Sequence, residues 1–200
     1  TPIAEPKETS DIQGKTQTGK PTFTPGANEV PMNDEVPATF EDDSTEKVIP
    51  GEGTYTVAPD GTVTFTPEKT FKGVGTGVTV KRVDKNGTPV TAKYTPTVLP
   101  ATPTATPAET TDIQGALQKG LPQFLGGRVS VDGVQKIVPI DETKPLELID
   151  PSTGKVTNEI VVPGEGTYTV YNGVVEFRPE PQFVGKAKGV TVQRVDVNGT

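Results

Sequence analysis

The sequence contains no cysteine, no histidine and no tryptophan, and only one methionine. Without cysteine there is no disulfide, no thiolate zinc site and no thiol nucleophile. Without histidine there is no Ser-His-Asp triad, imidazole metal site or imidazole proton shuttle. Aromatic residues are 6% of the 200 residues and apolar residues 31%. Any core is therefore thin, and two small domains fit better than one large one. No apolar run approaches the roughly 20 residues that a bilayer-spanning helix needs. No basic stretch followed by an apolar one opens the chain, so a mature or internal segment is expected. The net charge of −7 repels phosphate backbones and anionic lipid, which argues against nucleic acid and membrane insertion.

What the chain does have is glycine, proline and an internal repeat. Thr9-Ser10-Asp11-Ile12-Gln13-Gly14 returns as Thr110-Thr111-Asp112-Ile113-Gln114-Gly115, and Pro50 to Val57 returns unchanged as Pro163 to Val170. Phe65-Thr66-Pro67-Glu68 returns as Phe177-Arg178-Pro179-Glu180, and Gly77 to Asp84 as Gly189 to Asp196. The offset is 101 at the first block, 113 at the second and 112 afterwards. The second copy thus carries a net 12-residue insertion, expected within about 140–158, where Asp150-Pro151-Ser152-Thr153-Gly154 signals a turn. A period near 100 residues is a whole domain rather than a solenoid unit. The expected organisation is linker 1–10, repeat domain 11–98, linker 99–111 and repeat domain 112–200. The spaced prolines of 99–111 favour an extended, semi-rigid spacer.

Within each copy apolar and polar residues alternate. Tyr55 and Val57, Val63 and Phe65, and Val90, Ala92 and Tyr94 are separated by threonine or lysine. A period of two means strands with one buried face. Asn86-Gly87 between two such runs predicts a hairpin pairing Val78–Asp84 with Thr88–Tyr94. No amphipathic helical window competes. The fold class is all-β: two tandem Ig-like β-sandwich repeats joined by a Pro/Thr linker. Tyr55, Val63, Phe65, Phe71, Val78, Val80 and Tyr94 are the expected core of copy one. Tyr168, Val175, Phe177, Phe183, Val190 and Val192 match them in copy two. Copy two stops at the turn Asn198-Gly199-Thr200, so the counterpart of the strand within Pro89–Val98 is expected to be missing and Val190–Asp196 to lack a partner.

Several blocks together resemble the CshA-type repeat of Gram-positive surface adhesins. They are Pro-Gly-Glu-Gly-Thr-Tyr-Thr-Val, Gly-x-Val-x-Phe-x-Pro-Glu, Phe-x-Gly and Val-Thr-Val-x-Arg-Val-Asp-x-Asn-Gly-Thr. Pro21 to Gly26 and Tyr94 to Val98 are similar too, and the resemblance covers nearly the whole chain. It implies an extracellular, cell-wall-anchored fibrillar protein of streptococci or relatives. The repeats of such a protein form a stalk that projects a distal binding region. Partners implied are the adjacent repeats of the same chain, with host or bacterial surface ligands left to the parent protein. The alternative is an Ig-like module that itself contacts host glycoprotein or other bacteria. Two stretches depart from the pattern: the shortened Glu41-Asp42-Asp43, and Leu125-Gly126-Gly127 where Thr-Pro-Gly is expected.

No catalytic, cofactor-binding or metal residues are assigned, and no enzyme is expected, because nothing places two carboxylates across a cleft. Four groups carry residue types that could bind a ligand or mark a site. Glu41, Asp42 and Asp43, with Asp34, Glu35 and Glu29, offer the oxygens that calcium takes. Copy two matches them only at Asp141-Glu142, and a solvated acidic loop is the preferred reading. Asp84-Lys85-Asn86-Gly87 and Asp196-Val197-Asn198-Gly199 read as turns rather than ligand sites. Glu52 with Arg82, and Glu165 with Arg194, are charged residues kept inside apolar blocks. They read as ion pairs, or as an Arg stem on the core with its head in water, rather than as ligand contacts. Leu99-Pro100-Ala101-Thr102 resembles the start of a sortase signal, but Pro103 follows, and it reads as linker.

Overall fold

A computed structural model describes residues 1–200, all strands and turns with no helix. The chain divides into two compact units. One is Thr1–Ala101 with Arg128–Ile137; the other is Thr102–Gly127 with Val138–Thr200.

The first unit contains β1 (Ile3–Glu5), β2 (Lys7–Ile12), β3 (Gln17–Gly19), β4 (Thr22–Thr24), β5 (Thr39–Phe40) and β6 (Glu46–Ile49). It continues with β7 (Gly53–Val57), β8 (Val63–Pro67), β9 (Gly73–Val74), β10 (Val78–Val83) and β11 (Pro89–Leu99). One sheet runs β3-β8-β7-β6; the other runs β2-β11-β10-β5, with β9 also on β11. The hairpin of β10 and β11 has the register expected from Asn86-Gly87, with Val78 opposite Tyr94 and Val83 opposite Pro89. Tyr55, Val57, Val63 and Phe65 of the first sheet meet Phe40, Val78, Val80, Tyr94 and Val98 of the second in one core. The Tyr55 and Phe65 rings stack at 4.5 Å, and Phe71, partly buried, meets Phe65 edge-on. The alternation seen in the sequence is therefore a two-sheet sandwich.

Residues 1–10, expected as linker, carry β1, paired with β4, and most of β2, which pairs in parallel with β11 from Lys7 opposite Tyr94 to Ile12 opposite Leu99. Lys7–Ile12 has no apolar alternation, so its pairing comes from its partner rather than from its own pattern. Gly19 belongs to this packing. A Cβ there would lie 2.3 Å from the Tyr94 ring.

The second unit begins with β12 (Thr104–Thr106), β13 (Gln118–Gly120) and β14 (Gln123–Leu125). The hairpin β15 (Gly127–Val131) and β16 (Val134–Val138) follows, and its residues 128–137 fold with the first unit, where Lys136 Nζ lies 2.9 Å from both carboxylate oxygens of Asp11. The second unit resumes with β17 (Glu147–Ile149), β18 (Val156–Thr157), β19 (Glu159–Val162), β20 (Gly166–Tyr171), β21 (Val174–Pro179) and β22 (Thr191–Gln193). Its sheets run β13-β21-β20-β19 and β18-β17-β22, with β12 on β14. Thus β12 lies within residues 99–111, expected as linker.

The insertion is split rather than confined to 140–158. Met32 and Ile140 occupy the same bridge position, opposite Asp84 and Asp196. Their offset of 108 places seven extra residues before Ile140, in the β15–β16 hairpin. Glu46 and Glu159, at equivalent pairs, differ by 113, so the other five fall around the Asp150–Gly154 turn between β17 and β18.

Tyr168 is buried as expected, but Val175, Phe177, Phe183, Val190 and Val192 are only half-buried. In the first unit Tyr94 and Val98 of β11 belong to the core, and Ile12 of β2 is fully buried. Its counterpart Ile113 is 79% exposed. In this structure β22 pairs with β17 alone.

Candidate functional site

Of the charged residues repeated in both copies, Glu52 and Asp84, with Glu165 and Asp196, serve backbone groups. Glu52 follows the Pro50-Gly51 turn and is buried. Its Oε1 accepts the backbone N–H of Thr76, while Oε2 is buried with no hydrogen-bond partner. The neighbouring Gly77 N–H donates to the Tyr55 hydroxyl at 3.2 Å. Gly77 is needed at φ 76°, and a Cβ there would lie 2.5 Å from the Tyr94 carbonyl. The second unit repeats the arrangement. Glu165 accepts from Lys188 N–H at 2.7 Å and from the Tyr168 hydroxyl at 3.0 Å, and Gly189 N–H donates to that hydroxyl at 3.1 Å. Burial, with the carboxylate beside it, pushes the Tyr168 phenol up to about 12. Burial raises the Tyr55 phenol further, and Tyr94 is also raised.

Asp84 is buried at the end of β10, where its Oδ1 accepts the N–H groups of Asn86 and Thr88 at 2.9 and 2.8 Å. Gly87 takes a φ of 79°, and its N–H bonds the Asp84 carbonyl. Asp196 does the same for Asn198 and Thr200, each at 2.9 Å. Both motifs are turns built around a buried aspartate.

Glu52 and Arg82 are not partners in a hydrogen bond or ion pair. Arg82 reaches Asp34 at 2.8 Å, and Arg194 reaches Glu142 at 3.1 Å and the Lys144 carbonyl at 3.3 Å. Each Arg stem is largely buried, its Nε enclosed without a partner, and its acid lies in solvent.

The acidic loop is arranged as a turn. Asp42 Oδ1 accepts from Ser44 N and Oγ at 3.1 and 2.5 Å, which lowers its pKa. Asp43 pairs with Lys81, and Asp34 with Arg82. Glu29 stands at φ 52° in its own turn, and Glu35 N–H bonds Asn33. No three acids are gathered as metal ligands. A shallow depression of about 450 Å³ beside the loop mixes charges from Glu41, Asp42, Lys47 and Lys93.

One network was not singled out from the sequence. Tyr94 donates to Thr9 at 2.6 Å, Thr9 donates to Gln17 at 2.6 Å, and Gln17 Nε2 donates to the Thr97 carbonyl at 2.9 Å. The chain of bonds leaves β11, crosses β2 and β3, and returns to β11. Gln13 Nε2 donates to the Lys69 carbonyl at 2.9 Å. The second copy keeps part of this. Thr110 donates to Gln118 at 2.6 Å, and Gln114 to the Pro181 carbonyl at 2.9 Å. The available signal was that Thr, Gln and Gln recur at four-residue spacing in both copies.

The sequence profile of the surface adhesin CshA repetitive domain matches residues 1–98 and again 100–200. The chain belongs to the CshA repeat family. Among solved structures it is similar to repeat domain 13 of the fibrillar adhesin CshA from Streptococcus gordonii, determined by NMR. The two are 69% identical over 34% of this chain and 86% of that one, with a TM-score of 0.21. It also aligns with the N-terminal Ig1-2 module of the Drosophila receptor protein tyrosine phosphatase DLAR, at 14% identity over 98% of this chain and 96% of that one, with a TM-score of 0.25. No curated protein matches the chain.

Proposed function

We propose that these CshA repeats are spacer modules in the stalk of a cell-wall-anchored fibrillar adhesin. They stand outside the bacterial cell and carry a distal binding region away from it. They perform no catalysis and contribute length and order. The short stretch between β11 and β12 is read as the link joining successive modules. The observation that supports this reading most is the use made of the charged residues repeated in both copies. Glu52 and Glu165 hold a loop, Asp84 and Asp196 hold a turn, and Arg82 and Arg194 close a surface ion pair. Residues kept between copies thus serve the fold rather than an open surface.

The test is to immobilise the 200-residue chain and pass over it soluble host glycoproteins and whole streptococcal cells. No retention above an unrelated immobilised protein is expected. Saturable retention of a glycoprotein or of cells overturns the spacer reading in favour of a binding module.

A further inference from the structure

In the first unit, β2 lies near the start of the repeat and β11 is its last strand, and the two are parallel over six residue pairs. Tension along a stalk enters a repeat at its start, passing through β1 to β2, and leaves at its last strand. Here it pulls β2 from its Lys7 end and β11 from its Leu99 end. In a parallel pair those are opposite ends of one ladder. The pull therefore lies along the strands and loads the whole ladder together. Had the terminal strands been antiparallel, the loaded ends would sit side by side and the bonds would open one at a time. We propose that the β2–β11 pair is the force-bearing clamp of the repeat. Its purpose rests on the stalk reading; its existence does not.

The side chains reinforce the same two strands. Pro96, opposite Thr9, has no N–H to give the ladder. Beside that position, Tyr94, Thr9, Gln17 and the Thr97 carbonyl are joined by three hydrogen bonds of 2.6 to 2.9 Å. At the far end of the ladder, Gln13 N–H bonds the Leu99 carbonyl at 2.9 Å. Tyr94 and Gln17 are buried, so water does not replace these bonds as they stretch. Sliding β11 by one residue along β2 breaks the set at once. The second unit supplies an internal comparison. Its residues 107–117 form no strand, and its pairs β12–β14, β13–β21, β17–β18, β17–β22, β19–β20 and β20–β21 are all antiparallel.

The chain is free of cysteine, so Thr1→Cys with Thr200→Cys attaches handles to its ends for magnetic tweezers. Two unfolding steps are expected, with the first unit yielding at roughly twice the force of the second or more, because forced rupture follows the unfolding barrier. Moving the handles to Thr79→Cys and Lys93→Cys, a facing pair near the open end of the β10–β11 hairpin, peels β11 away instead. The first unit then yields at about half its end-to-end force or less. Thr9→Val removes the bridging hydroxyl and keeps the branched shape. It raises the unit's unfolding rate at fixed force about tenfold, whereas Val57→Ala, in the core, lowers equilibrium stability and changes that rate about twofold at most. Equal forces in the two pulling directions, or an unchanged rate in Thr9→Val, overturn the clamp. Failure of the clamp leaves the stalk reading standing, and ligand capture by the immobilised chain ends the stalk reading while leaving the clamp.

Discussion

Glu165 accepts the backbone N–H of Lys188 at 2.7 Å, across 23 residues of chain, and Glu52 holds Thr76 in the same way. A buried carboxylate thus fixes the loop that leads into β10 in the first copy and into β22 in the second. Replacing Glu52 or Glu165 by alanine leaves that N–H unsatisfied and is expected to cost about 1–3 kcal/mol. Gln retains an acceptor and costs less. Urea unfolding of the four variants checks the order. Equal losses for Gln and Ala contradict the role assigned to the acceptor oxygen.

Alkali should weaken the fold through its tyrosines. The Tyr168 phenol sits at about 12 in the folded chain against 10 when free, because burial disfavours the phenolate. A raised folded value means the stabilisation is complete below pH 10 and is lost as pH rises through about 12. Tyr55 and Tyr94 shift in the same direction. The urea midpoint should hold up to pH 10 and fall beyond it, and Tyr168→Phe should make the second unit's share of that fall smaller. A midpoint that rises above pH 10 contradicts this account.

Gly19 and Gly120 test the packing of Tyr94 by a paired comparison. A Cβ at Gly19 meets the Tyr94 ring at 2.3 Å, whereas one at Gly120 finds Ala108 at an ordinary 3.7 Å. Gly19→Ala is expected to destabilise by about 1–3 kcal/mol through overpacking, and Gly120→Ala to stay within about 0.5 kcal/mol. Thermal unfolding of the two variants decides it, and matched effects count against the described contact.

The core makes a similar contrast. Phe65 is fully buried, while its counterpart Phe177 is half-buried. Phe65→Ala should cost roughly 3–5 kcal/mol. Phe177→Ala should cost clearly less, read from the separate unfolding transitions of the two units. A loss below about 1 kcal/mol for Phe65→Ala means the core lies elsewhere.

Much of this was legible in the sequence. The alternation around Tyr55, Phe65 and Val80 marks strands, and Asn86-Gly87 sets the register of β10 on β11, because period and turn chemistry are local properties. β2 was not legible. Lys7-Glu8-Thr9-Ser10-Asp11 is polar throughout, and it becomes a strand because β11 offers it an edge. The exposure of Ile113 was hidden for the related reason that burial depends on which strand covers a residue. The partners of Arg82 and Arg194, Asp34 and Glu142, lie 48 and 52 residues away, beyond any spacing argument. Offsets between repeats located an insertion of 12 residues, but only the strands could divide it between two turns.

The spacer claim is tested most directly in the parent adhesin on the cell. The measurement is fibril length by electron microscopy, together with capture of a soluble ligand of the adhesin, before and after deletion of residues 1–200. The account predicts shorter fibrils and unchanged capture of soluble ligand. Unchanged fibril length with loss of ligand capture would contradict it.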